Sequence, residues 1–175
     1  MDQLWAPWRL AYIAKPPTPK PDECFICSGL AANADRENLI AYRGPRTAVV
    51  LNRFPYNNGH LLIAPAAHKG RLDQLESAEL LELMETLRRM VSLLQELMSP
   101  DGFNIGLNLG RAAGAGLPGH LHWHVVPRWD GDTNFMPVLT DAKVISQSLD
   151  SLWEMLTATQ AARKHQSSLA GGSQS

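Results

Sequence analysis

The chain has 175 residues, of which 45% are hydrophobic and 19% charged, and a formal net charge of −1. That is one domain's worth of sequence with enough apolar content for a real core, and too little charge to hold nucleic acid by bulk electrostatics. No apolar run approaches the ~18 residues of a membrane span, and the N-terminus lacks a signal-peptide core. The expected location is therefore cytoplasmic, with neither nucleic acid nor membrane as a partner.

Residues 1–21 carry aromatic anchors (Trp5, Trp8, Tyr12) and then four prolines, which predicts an extended arm. Residues 39–42 and 47–52 are apolar runs around Arg43-Gly44-Pro45 and read as a hairpin. Residues 59–64 form the next strand. From 75 to 98, Leu80, Met84, Leu87, Val91, Leu94 and Met98 recur at spacings of four and three, predicting an amphipathic helix with that stripe in the core, closed by Ser99-Pro100-Asp101-Gly102. Residues 103–109 alternate apolar positions with Asn104, Gly106 and Asn108, a strand with one polar face. A last helix is predicted over 142–157, with Ile145, Leu149, Leu152 and Leu156 on one side, before a Gly/Ser-rich tail expected to be disordered. Antiparallel strands with one long helix between them and another after make an α+β pattern.

Both cysteines fall in Cys24-Phe25-Ile26-Cys27. In a reducing compartment this spacing is half of a metal site or a redox pair, and the Pro-rich approach and Ser28-Gly29 exit suit a metal knuckle better than a thioredoxin-like motif.

Three of the six histidines, His120, His122 and His124, alternate within residues 119–129. In a strand they share one face, while Leu121, Trp123 and Val125 point to the core. Imidazoles gathered on one face form a reagent array, because imidazole attacks, donates, accepts and ligates near neutral pH. The glycine-rich stretch 110–116 before them is not a P-loop, since no Gly-Lys-Ser/Thr follows. It is either a flexible connector or backbone able to approach a phosphate.

The His-apolar-His-apolar-His-apolar-apolar run from His120 to Val126 resembles the signature of the histidine triad (HIT) family of nucleotide-processing proteins. Residues 51–65, LNRFPYNNGHLLIAP, are similar to that family's nucleotide-binding strand pair. Trp5-Ala6-Pro7-Trp8-Arg9 and residues 129–135 resemble bacterial members of the diadenosine-polyphosphate phosphorylase branch, so the likeness covers roughly residues 1–140.

The resemblance implies a HIT-like antiparallel sheet of about five strands with two main helices, over residues 22–160, and a homodimer with a continuous sheet. It implies a covalent nucleotidyl intermediate on His122, with His124 donating to a phosphate oxygen. Asn52 corresponds to the family's ribose contact, although an Asn in that place also starts turns. Asn108, on the polar strand face, is placed to reach the phosphates. Gly116 and Leu117 stand where phosphoramidase members carry Gln-Ser, which favours the phosphorylase-like branch. Zinc-containing members add to the Cys pair a histidine after the Gly-His strand and the first triad histidine, here His68 and His120; two thiolates and two imidazoles make a closed, structural zinc site. His60 has no partner visible in sequence and reads as a structural histidine. Arg111 and Arg128 are the basic residues near enough to the triad to supply a phosphate-acceptor pocket.

The expected function is therefore cleavage of a dinucleoside polyphosphate, with phosphate or water as acceptor. The alternatives are a nucleotide-binding regulatory module with little turnover and a zinc-stabilised interaction protein.

Overall fold

A computed structural model of the chain describes residues 24–133 and 145–171, with side chains to residue 164. The predicted arm over 1–21, and the start of the predicted last helix, lie outside the described residues.

The elements follow as helix α1 (Phe25–Ala31), strands β1 (Ile40–Arg43), β2 (Thr47–Leu51) and β3 (Leu61–Pro65), helix α2 (Ser77–Met98), strands β4 (Gly102–Leu107) and β5 (Trp123–Arg128), and helix α3 (Leu149–Gly171). The five strands form one antiparallel sheet in the order β1-β2-β3-β5-β4. β2 and β3, rich in Val, Ile and Leu, are buried along their whole length, as continuous apolar central strands should be. α2 lies against β2, β3 and β5, and α3 against β1. The core joins Val49, Leu51, Leu61 and Ile63 of the sheet to Leu83, Met90, Leu93 and Leu94 of α2 and to Leu152 and Leu156 of α3.

One predicted face and one predicted helix extent need correction. α2 buries Glu79, Leu83, Thr86, Met90, Leu93 and Leu94, while Leu80 and Met84 are 37% and 43% exposed. The helix carries apolar residues on two overlapping faces, and only its docking angle on the sheet selects between them. α3 begins at Leu149 and continues to Gly171, well past the last apolar position of its stripe.

Two local devices set up the site. Glu79 accepts the backbone N–H of Glu76 (2.7 Å) and an ion pair from Lys69 (2.6 Å), and the Lys69 carbonyl accepts the Leu121 N–H at 2.7 Å. The segment holding His68 and Lys69 is thereby tied to α2 and to the chain entering β5. Gly59, at φ +78°, turns the chain into β3 just before His60, and a Cβ there would meet Pro127 at 2.9 Å.

Candidate active site and metal centre

The ladder places β3 and β4 on either side of β5, with Leu62 and Gly106 paired to His124. His120 and His122 precede β5, and both are buried. The His122 Nδ1–H donates to the backbone oxygen of His120 at 2.8 Å. That bond fixes the neutral tautomer and leaves the Nε2 lone pair available for attack. Burial pushes the His122 imidazole below its ordinary value, more than the bond to His120 raises it, so the ring stays neutral at pH 7.

His124 is oriented by a residue that the sequence offered no partner for. The Tyr56 N–H donates to His60 Nδ1 at 3.0 Å, and Asn52 Nδ2 lies 3.2 Å from the same atom. The Asn52 amide is itself oriented, because its Oδ1 accepts the Phe54 N–H at 2.9 Å. With Nδ1 accepting, neutral His60 carries its proton on Nε2, which sits 2.9 Å from His124 Nδ1 and donates to it. His124 then carries its own proton on Nε2. That nitrogen is the single buried side-chain polar atom lacking a partner among the described residues. A buried N–H without an acceptor is costly, and at a reactive site it marks where a ligand atom belongs. Burial first, and the neighbouring His122 second, push His124 down to about 4, so it too is neutral. The sequence signal for His60 was its even spacing from Asn52 across a turn, which means nothing until the loop closes.

Gly106 leaves space over His124, since a Cβ added there would meet nothing within 4 Å. Asn108 is half-buried just beyond β4, where continuation of the ladder brings it level with His122. Asn104 accepts from Arg128 at 2.8 Å and serves the strand end. Gly116 is exposed in the loop before the triad. Arg128 does not supply an anion pocket: its guanidinium is engaged by Asp132 (2.5 and 2.9 Å) as well as by Asn104. Asp132, held well below the usual carboxylate range by that pair, neutralises it. Arg111 remains exposed on the short turn Arg111–Ala113.

Cys24, Cys27, His68 and His120 converge, with their four donor atoms all within 4.8 Å of one another. Cys24 Sγ lies 3.1 Å from His120 Nδ1, and Cys27 Sγ lies 3.3 Å from His68 Nδ1. Tetrahedral coordination at usual zinc–sulfur and zinc–nitrogen lengths puts donors roughly 3.3–3.8 Å apart, so around a cation the closest pairs would spread slightly and the wider ones, within 4.8 Å, would draw in. The His120 Nε2–H donates to the Pro65 carbonyl at 2.8 Å, which aims the Nδ1 lone pair at the sulfurs, as a metal-ligating histidine requires. Burial and the adjacent Cys24 push the Cys27 thiol up to about 11. A bound cation is what reverses that preference and makes a thiolate. The four residues can hold a metal.

Comparison with known proteins agrees with this geometry. The family model for the HIT domain matches residues 33–131. The chain is 38% identical over 171 residues to a Mycobacterium tuberculosis protein named AP-4-A phosphorylase, covering 94% of this chain and 86% of that one. It is 32% identical over 93 residues to the asymmetrical bis(5'-nucleosyl)-tetraphosphatase of Schizosaccharomyces pombe, covering 53% and 50%. Among solved structures, the fold matches a Zn-bound histidine triad family protein from Mycobacterium smegmatis with TM-score 0.64 at 24% identity, covering 82% of this chain and 96% of that one. With its family model, its relatives and its three alternating histidines in agreement, the chain belongs to the HIT family.

Proposed function

We propose that the chain is a nucleotidyl-transferring enzyme that cleaves dinucleoside polyphosphates of the diadenosine tetraphosphate kind. The observation that carries this reading is the pairing of a lone-pair nitrogen on His122 with an unpartnered N–H on His124, their ring centroids 5.1 Å apart. The relatives named as a phosphorylase and a tetraphosphatase support the substrate class. His122 Nε2 attacks a phosphorus; the bond from that phosphorus to the bridging oxygen breaks, and the other nucleotide departs. The His124 Nε2–H donates to a phosphate oxygen as charge builds there. Inorganic phosphate or water then attacks the same phosphorus, the P–N bond breaks, and His122 recovers its lone pair. Asn52, Asn108 and Gly116 are assigned to substrate binding.

Cys24, Cys27, His68 and His120 are assigned to a structural zinc, which when bound supplies a fixed tetrahedral cross-link between α1, the segment after β3 and the triad. The reading includes a cytoplasmic homodimer. The unbridged cysteines support a reducing compartment, and the exposed β4 edge supports pairing through the sheet. Among the described residues no helix is long and apolar enough to cross a membrane.

The test is to incubate the protein with diadenosine tetraphosphate radiolabelled at the α-phosphates and quench with denaturant. Label retained on wild type and absent from His122→Ala supports the intermediate. Nucleotide that binds without any labelling or turnover would favour the regulatory module instead. The acceptor is read from products: with added phosphate, nucleoside diphosphate accompanies the departing triphosphate if phosphorolysis operates, and monophosphate accompanies it if water is the acceptor.

A further inference from the structure

The loop between β2 and β3 holds two large side chains out to solvent, Phe54 at 79% exposure and Tyr56 at 50%. Loop tips are ordinarily polar, and paired exposed aromatics beside a reactive site point to a surface that something covers. This loop is also rigidly fastened. Beyond the bonds from the Phe54 and Tyr56 N–H groups, Asn57 Nδ2 donates to the Pro127 carbonyl at 3.0 Å and to Asp132 at 2.8 Å. The backbone therefore fixes where the aromatic residues stand, so their exposure costs little further ordering when a ligand arrives.

Their position relative to the triad gives the surface its meaning. The Tyr56 ring stacks on His124 with centroids 5.6 Å apart and planes 21° apart, and it lies 4.7 Å from His60. His122 and His124 are in turn 5.1 Å apart. The phosphoryl captured by His122 stays at His122. The aromatic loop stands one ring beyond His124, within reach of the part of a dinucleotide that does not stay on His122.

Building on the reading of the site as a dinucleoside polyphosphate enzyme, we propose that Phe54 and Tyr56 form a stacking platform for the nucleobase of the departing nucleotide. Stacking on an aromatic side chain is tolerant of base identity, because every base presents a π-face. The platform thus selects for the presence of a second nucleoside and not for its kind. Dinucleoside polyphosphates with adenine, guanine or pyrimidine in the second half are taken alike, and a mononucleotide of equal phosphate number is disfavoured.

The experiment compares diadenosine tetraphosphate with adenosine 5'-tetraphosphate, which offers the same α-phosphate and lacks the second nucleoside. The readout is the ratio of kcat/KM for the two compounds, in wild type, Phe54→Ala, Phe54→Trp and Tyr56→Leu. The ratio is expected to favour the dinucleotide in wild type and to fall about tenfold in Phe54→Ala and Tyr56→Leu, with Phe54→Trp restoring it. Phe54→Ala removes a solvent-exposed side chain and keeps its backbone N–H, so it reports on the platform even if Tyr56→Leu disturbs the neighbouring rings. A ratio unchanged in Phe54→Ala overturns the platform. If wild type turns over neither compound, the enzyme reading fails. The same ratio is then taken between dissociation constants from equilibrium dialysis: loss of discrimination in Phe54→Ala upholds the platform, and equal binding of both compounds by wild type overturns it.

Discussion

The backbone oxygen of His120 accepts the Nδ1–H of His122 at 2.8 Å, while the ring of the same His120 stands 3.1 Å from Cys24 Sγ. One residue thus belongs to the Cys/His cluster through its imidazole and holds the His122 ring through its peptide group. If the cluster holds the proposed zinc, removing it should loosen that carbonyl as well as the fold.

Purified protein is expected to contain about one zinc per chain by elemental analysis. Cys24→Ser and His68→Ala should lose it and melt several degrees lower, by about the amount a cross-link of this kind contributes. In ¹⁵N spectra of the imidazoles, His122 should show one fixed tautomer in the loaded protein and a mixture in the stripped one. Metal-free protein with unchanged melting and an unchanged His122 signal would falsify both the site and the coupling.

His122→Ala or His122→Gly should reduce turnover below about a tenth of wild type, while nucleotide affinity stays within about tenfold. A nucleophile contributes to the transition state far more than to ground-state binding. Rates from single-turnover experiments and affinity by titration check the two halves separately.

His60 positions His124 without being placed at the reacting atoms. His60→Phe keeps the size of the ring and removes both nitrogens, so kcat should fall by about a hundredfold with KM little changed. The distinguishing readout is the His124 tautomer, fixed in wild type and mixed in the variant. A fall in kcat with the tautomer unaltered would assign His60 to packing alone.

The triad's alternation and the Cys pair were legible because each rests on spacing, and spacing survives folding; His68 and His120 were joined to the Cys pair only through the family resemblance, and the fold brings the four together. The five-stranded antiparallel sheet was readable through resemblance, but its strand order was not read at all, since β3 and β5 are neighbours separated in sequence by α2 and β4. The buried face of α2 was misjudged because its apolar residues cover more than one face, and nothing in a single helix says which face meets the sheet. His60 reads from sequence as a merely structural histidine because its role depends on Asn52, Tyr56 and His124 closing around it. Arg128 is near the triad in sequence, as its candidacy for an acceptor pocket requires, but Asp132, four residues away, claims its charge. Local sequence shows a cation more readily than its neutralisation.

Gly106 faces His124 across the ladder with open space in place of a side chain. Gly106→Val should raise KM for a dinucleoside polyphosphate by about tenfold or more, because the new methyl groups occupy room the substrate needs. The melting temperature should hold, since nothing lies within 4 Å of the added Cβ. A drop in melting temperature with KM unchanged would place the substrate elsewhere.

Acid should weaken the fold through the same rings. Unfolded His124 takes up its proton near 6.5, whereas the folded ring resists until about 4, mainly because it is buried. Between those values the unfolded state binds more protons, so stability rises with pH across the window and is lost as pH falls through it. His122, also shifted down by burial, acts in the same direction. Melting temperatures at pH 7, 6 and 5 should decline, and His124→Gln should flatten part of that decline. A slope identical in the variant would mean that His124 titrates normally.

The outer rim of β1 is already spoken for: the Trp153 indole N–H donates to the Ile40 carbonyl at 2.8 Å, and the Gln160 amide to the Ala41 carbonyl at 3.0 Å. Those two side chains of α3 act as a stopper, so that among the described residues β4 is the sheet edge left to receive another strand. A proposed dimer formed through β4 would use that edge in both copies at once, and strand-to-strand growth of the sheet would end at two chains instead of running on into a fibre.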